Sequence, residues 1–390
     1  MIKKIVAVAV IATLCFSCVN NKKNTSMQDV IKTEEAVLQD DASMYLLVGT
    51  YTQGESNGIY VYQFDTISGY SKYVSTVDVD NPSYLAVSKN EKFVYAVTEN
   101  EDESSSANAF SFDKDTGKLT YINSQRTGGG APCYVSVDSE GKHVVTANYL
   151  GGSVTVFDTN ENGSLSPASQ IITFSGKGTN PDRQTQPHIH CVKFSPDEKY
   201  LLVDDLGTDK IHRFDVQKND SNFLKVGQPP FVKVVDGSGP RHLEFHPDGK
   251  YAYLINELSG AVIAFEYKDG NLKEIQSIQA DTTNAQGSGD IHISPDGRFL
   301  YASNRVINDG IAIFSIDQTT GKLTKIGYQT TGVHPRNFAI TPNGKFLLVA
   351  SRDDGIIQIF DVNTETGLLE DAYKNIELDM PVCLKFVSFQ

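Results

Sequence analysis

The chain has 390 residues, of which 39% are hydrophobic and 21% are charged, so it can bury a core and is not disordered over its length. Its 48 acidic residues outnumber its 34 basic residues, and the formal net charge is -14. Because no basic block occurs beyond the first few positions, this charge argues against nucleic acid as a partner. Abundant Gly, Tyr and Phe without Trp favour strands and tight turns over long helices.

The N-terminus has the pattern of an export signal. Two lysines precede an apolar run, Ile5 to Phe16, which is too short to span a bilayer and has the length of a secretory signal. Its end, Ser17 before Cys18, resembles a bacterial lipoprotein signal in which the cysteine is lipidated, although Cys15 stands where leucine is usual. We therefore expect lipidation at Cys18, with soluble export as the alternative.

This signal sets the expected domain organisation. We expect residues 1–18 to be a lipoprotein-type signal peptide, residues 19–41 a flexible polar tether, and residues 42–390 the folded domain. The protein is then periplasmic or anchored in the outer membrane, and it contacts a membrane only through its N-terminal lipid. If the apolar start is not a leader, the chain is cytoplasmic.

Three further cysteines stand far apart in the chain, at Cys133, Cys191 and Cys383. Their number and spacing fit neither a disulfide framework nor a zinc site. We expect buried free thiols, and the alternative is one disulfide between two of them.

A repeat of about 50 residues governs the predicted fold. Clear copies are GPRHLEFHPDGKYAYLINE from Gly239 and HPRNFAITPNGKFLLVASR from His334, and a weaker copy is APCYVSVDSEGKHVVTANY from Ala131. Alignment places one residue of each copy at an equivalent position, here named the anchor position, and only the step from Cys133 to His190 is clearly longer than the others. The anchor residues are Ser83, Cys133, His190, Arg241, Gly289, Arg336 and Val382.

Each copy contains the pattern of four strands. Apolar residues two and four places after the anchor, such as Leu243 and Phe245, predict a first strand with period-2 alternation. A Pro-Asp-Gly-Lys turn leads to the apolar run Tyr251–Ile255, which predicts a second strand covered on both faces. A third strand, such as Ala261–Phe265, and a turn to a fourth strand complete the unit. Four antiparallel strands in such a unit predict a propeller blade.

The two ends of the chain complement each other. The segment Tyr45–Gly49 has the pattern of a second strand and Ile59–Phe64 that of a third, whereas Pro381–Phe389 supplies a first strand. Joining them completes a seventh blade and leaves no exposed sheet edge. The predicted fold is therefore an all-β, seven-bladed β-propeller with four antiparallel strands per blade. The alternative, an open solenoid, would not need complementary ends.

Charged and polar side chains recur at one end of the predicted blades. Arg241 stands at the start of the first strand of one hairpin and Glu257 at the end of its second strand, so they should lie at the same end of their blade. Equivalent residues of the other blades should then surround the same mouth of the central channel. These candidates are His188, His190, Asp204, Asp205, Arg241, His242, Asn256, Glu257, Asn304, Arg305, Arg336, Asn337 and Arg352.

The residue types suit an anionic substrate with a reactive carbonyl. Arginines bind carboxylate or phosphate in a forked geometry and can stabilise an oxyanion, and a neutral histidine can accept a proton from water. The alternative is structural: strand ends are often polar, and Arg241 can simply neutralise Glu257. His188 and His190 could also form a metal pair, but no further ligand is compellingly placed, so we expect no metal and no other cofactor.

Several stretches taken in order resemble the lactonase family of seven-bladed propellers. They include Gln186–His190, Gly239–His242, Asn256–Leu258 and His334–Asn337, and the similarity extends over nearly all of Tyr45–Phe389. The resemblance implies lactone chemistry without a metal. It places the catalytic histidine at His188 or His190, the paired arginine and glutamate at Arg241 and Glu257, and a further arginine at Arg305.

We therefore expect a lactone hydrolase, a carboxylic ester hydrolase that acts on a small anionic lactone in the manner of a 6-phosphogluconolactonase. An export leader does not match the intracellular sugar phosphate of that reaction, so the reaction class is better defined than the substrate. The alternatives are a surface-anchored propeller that binds a glycan or protein without turnover, and a muconate-type lactonising cycloisomerase. We expect a monomer. The expected catalytic residues are His188, His190, Arg241 and Glu257, and the expected substrate contacts are Asp205, His242, Asn256, Asn304, Arg305 and Arg336.

Overall fold

The computed structural model describes residues 42–389 except 219 and 221. The expected signal peptide with Cys18 and the expected tether, residues 19–41, lie outside the described residues. Within them the chain forms 29 strands arranged as seven antiparallel sheets, which confirms the predicted seven-bladed propeller. In that part of the chain no helix has the length and hydropathy needed to cross a bilayer.

Six blades follow one another in chain order, each running from the first to the fourth strand. The first two are β4 (Leu85–Val87), β5 (Phe93–Thr98), β6 (Ser106–Asp113) and β7 (Lys118–Arg126), and then β8 (Pro132–Val137), β9 (His143–Asn148), β10 (Ser153–Thr159) and β11 (Leu165–Thr173). The next two are β12 (Ile189–Phe194), β13 (Tyr200–Asp205), β14 (Lys210–Val216) and β15 (Leu224–Lys233), and then β16 (Pro240–Phe245), β17 (Tyr251–Asn256), β18 (Ala261–Lys268) and β19 (Asn271–Gln279). The last two are β20 (Ser288–Ile293), β21 (Phe299–Asn304), β22 (Gly310–Ile316) and β23 (Leu323–Thr330), and then β24 (Pro335–Ile340), β25 (Phe346–Ser351), β26 (Ile356–Val362) and β27 (Leu369–Asp371), where β28 (Ile376–Glu377) also pairs with β26.

The seventh blade joins the two ends of the chain, as predicted. It consists of β29 (Pro381–Ser388), β1 (Ser43–Thr50), β2 (Gly58–Asp65) and β3 (Ser71–Asp78). The C-terminal strand β29 pairs antiparallel with β1, and Leu46 stands opposite Phe386. The first strands of neighbouring blades contact one another in cyclic order, including β29 with β24 and β4, so the ring is closed.

Apolar packing and repeated hydrogen bonds hold the blades together. The side chains of the second strands are buried, as the almost continuous hydrophobicity of these strands predicts. These side chains fill the spaces between blades. Three second-strand tyrosines also donate to a carbonyl in the turn between the third and fourth strands of the following blade. These bonds run from Tyr45 to Lys114 (2.8 Å), from Tyr253 to Gly321 (2.9 Å) and from Tyr301 to Gly367 (2.9 Å).

The quasi-symmetry brings dispersed residues to the channel. Six of the seven anchor residues line one narrow cavity among the described residues, and the seventh is Gly289. The three cysteines, Cys133, Cys191 and Cys383, all lie on first strands and are buried free thiols, as expected. The lining anchors are Ser83, Cys133, His190, Arg241, Arg336 and Val382.

Candidate active site

The hairpin of β16 and β17 places Arg241 beside Glu257. Pro240 and Asn256 are partners in the ladder, and the backbone N–H of Glu257 donates to the carbonyl of Gly239 at 2.8 Å, so both side chains leave the same end of the hairpin. Nε of Arg241 donates to Oε2 of Glu257 at 2.9 Å. The two residues are only 1% and 6% exposed, so the pair is shielded from water.

Glu257 binds two further arginines. Nη2 of Arg183 donates to Oε1 at 2.6 Å, and Nη2 of Arg305 donates to Oε2 at 3.2 Å. Burial alone would raise the pKa of this carboxyl group, but the charges of Arg305, Arg241 and Arg183 outweigh burial and lower the pKa to about 2. Glu257 is therefore ionised at neutral pH and holds three guanidinium groups in place.

His190 stands beside this cluster as a neutral imidazole. Its Nε2 is 3.9 Å from Oε2 of Glu257, and its Nδ1 is 3.7 Å from Sγ of Cys133. The ring packs edge-on against that of His242, with 5.1 Å between centroids. Burial, followed by the charge of Arg241, lowers the pKa of His190 well below its ordinary value, so the ring is uncharged at neutral pH.

His188 precedes His190 by two residues and is held by other groups. Its ring stacks on that of Tyr149 at a centroid distance of 4.4 Å, and its Nδ1 is 3.0 Å from the carbonyl oxygen of Tyr149. Its backbone N–H donates to Oδ1 of Asp205 at 2.9 Å. Burial lowers the pKa of His188 as well. No group of three His, Cys, Asp or Glu residues in the described part of the chain is arranged to hold a metal ion, so the geometry gives no support to a metal pair.

His242 is fixed by a buried carboxylate. Its Nδ1–H donates to Oδ1 of Asp290 at 2.7 Å, and Nε2–H of His292 donates to the other oxygen of Asp290 at 2.9 Å. The amide of Asn337 also donates to Asp290. Burial and the neighbouring charge of Arg241 lower the pKa of His242 to about 3, so it is a neutral ring of defined orientation.

Two more predicted arginines complete the ring around the mouth. Nη1 of Arg305 is 3.2 Å from Nε2 of His334, and its Nε donates to the carbonyl of Gly287 at 2.7 Å. Burial and the charge of Arg241 lower the pKa of Arg305 to about 9, which leaves it charged at neutral pH. Nη2 of Arg336 is 3.4 Å from Oε2 of Glu99, a second carboxylate at the mouth.

Three predicted substrate contacts are not brought into this cluster. Asp205, Asn256 and Asn304 are each the last residue of a second strand, and each is at most 1% exposed. Asp205 accepts hydrogen bonds from the turn that follows it, and the amide of Asn256 donates to the carbonyl of Ala261 at 2.9 Å. Asn304 accepts from Ser288 at 2.7 Å. Alternate residues of a strand face opposite sides, so the residue that directly follows the second strand faces the mouth, while the last strand residue supports the blade.

The same position explains residues that the sequence interpretation missed. Glu99 directly follows β5 and Tyr149 directly follows β9, just as Glu257 follows β17. Tyr51 occupies the matching position after β1, and its hydroxyl donates to Oε2 of Glu99 at 3.0 Å. The alignment of the repeats therefore contained the signal for these residues.

Arg183 has no counterpart in the repeat. It lies in the connection between β11 and β12, where the step from the anchor Cys133 to the anchor His190 is longer than any other. This longer step indicated an insertion, but it could not show where the inserted side chains would reach.

Comparison with known proteins agrees with this architecture. A family model described as lactonase, 7-bladed beta-propeller, matches residues 45–386, and the chain belongs to that family. A 6-phosphogluconolactonase of Formosa agariphila is 42% identical over 88% of this chain and 99% of its own length.

Solved structures give the same result. A Bacteroides fragilis protein, described as a candidate 6-phosphogluconolactonase, is 56% identical with a TM-score of 0.88, covering 90% of this chain and 99% of that one. The periplasmic gluconolactonase of Pseudomonas aeruginosa is 34% identical with a TM-score of 0.85, covering 89% and 100%.

Proposed function

We propose that the chain is a lactone hydrolase that opens a sugar lactone of the 6-phosphogluconolactone type to the free acid. One observation carries the proposal: Glu257 gathers three guanidinium groups and a neutral imidazole at the mouth of the channel. Membership of the lactonase family and the names of its relatives support the reaction class. The substrate is then a small anionic molecule, as the surplus of arginines favours.

His190 is the proposed general base. Because its pKa lies well below the ordinary value, the imidazole is unprotonated at neutral pH and has a free nitrogen for a proton from water. The carboxylate of Glu257, 3.9 Å from Nε2, stabilises the imidazolium that forms. The water oxygen bonds to the carbonyl carbon of the lactone while its proton moves to His190. The ring C–O bond then breaks, and the imidazolium returns the proton to the departing alkoxide.

Arg241 and Arg305 are the proposed partners of the oxyanion. Both donate to the same oxygen of Glu257, so their guanidinium groups are fixed before the substrate binds. A fixed donor aimed at developing negative charge contributes about 100-fold to 1000-fold in rate. Glu257 acts as a positioning residue, since its role is to hold the arginines.

The test is hydrolysis of 6-phosphogluconolactone, followed as acid release and corrected for spontaneous hydrolysis. Wild-type protein should exceed the background, and His190→Ala should lose about 100-fold or more in kcat because the general base is gone. His143→Ala is the matched control, since His143 lies at the far end of β9 and bonds to Asp138 at 2.7 Å. If the wild-type protein hydrolyses phosphorylated and unphosphorylated lactones no faster than the spontaneous background, the proposed lactonase activity is refuted. A propeller that binds its ligand without turnover is then favoured.

We also propose that the chain is exported and anchored through Cys18. The sequence pattern of residues 1–18 supports this, and one structural relative is described as periplasmic. Replacing the lipid attachment site, Cys18→Ala, should move the protein from the membrane fraction to the soluble fraction. An unchanged distribution between the two fractions would contradict lipid anchoring.

A further inference from the structure

We propose that the connection between β11 and β12, residues 174–188, carries a second binding subsite for an anionic group of the substrate. The subsite, here named the outer anion subsite, consists of the Arg183 guanidinium and the Tyr149 hydroxyl. It binds the phosphate or carboxylate that lies away from the reacting carbonyl and so selects charged lactones over uncharged ones. This inference rests on the proposed function, because the ligand is the charged end of a lactone.

Hydrogen bonds fix the connection that presents Arg183. Gln184 is 1% exposed, and its Oε1 accepts from the backbone N–H groups of Thr179 (3.1 Å) and Asn180 (3.0 Å). Its Nε2 donates to Oδ1 of Asp209 at 2.8 Å, which ties the segment to the blade of β12–β15. The side-chain oxygen of Asn180 accepts from the backbone N–H of Arg183 at 3.1 Å. The guanidinium therefore extends from a fixed backbone, which lowers the entropy lost on binding.

Arg183 keeps more of its hydrogen-bond donors available than Arg305 does, and it is more exposed than either deeper arginine. Its described contacts use Nη2, which donates to Glu257 at 2.6 Å and to the Tyr149 hydroxyl at 3.3 Å. Its side chain is 38% exposed, against 1% for Arg241 and 6% for Arg305. Arg305 already uses Nε, Nη1 and Nη2 in hydrogen bonds. Arg183 can thus donate to a phosphate oxygen through Nη1 while its full positive charge strengthens the hydrogen bond.

Tyr149 supplies the second donor. Its hydroxyl accepts from Arg183, which leaves the hydroxyl proton for a ligand oxygen. Burial and the charge of Glu257 raise the pKa of Tyr149, so the hydroxyl keeps its proton at neutral pH. A charged guanidinium and a neutral hydroxyl side by side suit an oxyanion.

The charge of the mouth favours the same ligand. The chain carries a net charge of -14, yet five arginines lie together at the mouth, where three carboxylates contact them. Clustered guanidinium groups in an acidic protein attract anions to that point. The arginines are Arg183, Arg241, Arg305, Arg336 and Arg352, and the carboxylates are Glu99, Glu257 and Asp353.

The subsite also has a suitable position relative to the proposed reaction centre. Arg183 and Arg241 bind the two different oxygens of one carboxylate, so their guanidinium groups are neighbours linked by Glu257. A molecule of the size of a sugar lactone can contact both. The carbonyl then lies at Arg241 and the distal anion at Arg183.

The experiment compares 6-phosphogluconolactone with the uncharged glucono-lactone for wild-type protein and Arg183→Gln. We expect kcat/KM on the phosphorylated lactone to fall at least 10-fold more than on the uncharged one, because a charged hydrogen bond to phosphate is lost. Equal losses on both would overturn the proposal and assign Arg183 to support of Glu257. Arg183→Lys should restore part of the selectivity, since it keeps the charge without the planar guanidinium.

Two further measurements distinguish a failure of the subsite proposal from a failure of the proposed function. If wild type hydrolyses neither lactone, calorimetry with 6-phosphogluconate still tests the subsite: binding that Arg183→Gln weakens about 10-fold supports it, and equal binding overturns it. Arg298→Gln is the matched control, because Arg298 is exposed at the turn before β21 and bonds to Asp296 at 2.7 Å. Arg298→Gln should leave both lactone activities unchanged.

Discussion

Arg241 and Glu257 are 16 residues apart in the chain and meet across one hairpin, with 2.9 Å between Nε and Oε2. The contact is almost completely buried, and the same carboxylate also binds Arg183 and Arg305. The position of one carboxylate thus fixes three cations. Removing its charge should therefore disturb the site more than any loss of a single arginine.

Replacement of Glu257 by glutamine should cost both stability and activity. The isosteric amide leaves three buried or half-buried guanidinium groups without their counter-charge, and loss of one partner in a buried ion pair costs about 3 kcal/mol or more. Urea unfolding measures this change, and kcat/KM should fall about 100-fold as the arginines move. Glu266→Gln is the control, because Glu266 pairs with Lys273 on the surface and should change stability by less than about 0.5 kcal/mol. Equal costs for the two variants would contradict the central role of Glu257.

The same carboxylate should make stability depend on pH in acid. The pKa of Glu257 falls from 4.5 to about 2 on folding, so the unfolded chain takes up the proton first as the pH drops. The stabilisation is complete above about pH 4.5 and is lost as the pH falls towards 2. At about 1.4 kcal/mol per pKa unit, it amounts to about 3 kcal/mol. Urea unfolding between about pH 5 and pH 3 should show a steeper loss for wild type than for Glu257→Gln. Parallel curves would exclude this linkage.

His292 should remain protonated far above the ordinary range for histidine. Burial disfavours its charged form, but Asp290, 2.9 Å from Nε2, together with Glu244, raises the pKa of His292 to about 9. The pair therefore stabilises the fold below the ordinary histidine pKa, and the contribution is lost as the pH rises through about 9. Titration of the ring signals by NMR measures the pKa, and Asp290→Asn should lower it by more than one unit. A titration near 6.5 in the wild type would contradict this electrostatic assignment.

Gly207 should not tolerate a side chain. A Cβ at this position would lie 1.9 Å from the carbonyl oxygen of Gln186 and 2.7 Å from the backbone nitrogen of His188. Both atoms belong to the backbone that leads into β12, so Gly207→Ala should displace the segment carrying His190, lower kcat and cost about 2 kcal/mol. Gly141→Ala is the control: its Cβ meets no atom within 4 Å, and its φ of 67° costs about 1 kcal/mol. Unfolding curves that rank the two variants in the opposite order would refute the steric argument.

The fold was predictable because its signal is repeated. Seven copies of one pattern indicated the strand order, the blade count and the pairing of β29 with β1, since each copy supports the interpretation of the others. The paired Arg241 and Glu257 followed from the hairpin geometry. The ends of the second strands were harder to predict, because alternation turns Asp205, Asn256 and Asn304 towards their own blade, where they bond to neighbouring groups.

The contact of Arg183 with Glu257 could not be predicted from the repeat. Arg183 lies in an insertion without counterpart in the other copies, so neither period nor register relates it to Glu257. Its position depends on Gln184 bonding to Asp209, a contact between two segments that no sequence pattern connects. Loops that carry function are defined by such unrepeated contacts.

The pairing of β29 with β1 has a consequence for synthesis of the chain. During translation six blades can form completely, while β1, β2 and β3 remain a partial sheet until β29 has been synthesised. The inner edge of β1 is open throughout this interval, and an unpaired strand edge is a template for association with other chains. The nascent protein is thus most vulnerable to aggregation before β29 pairs with β1, and deletion of β29 would make that state permanent.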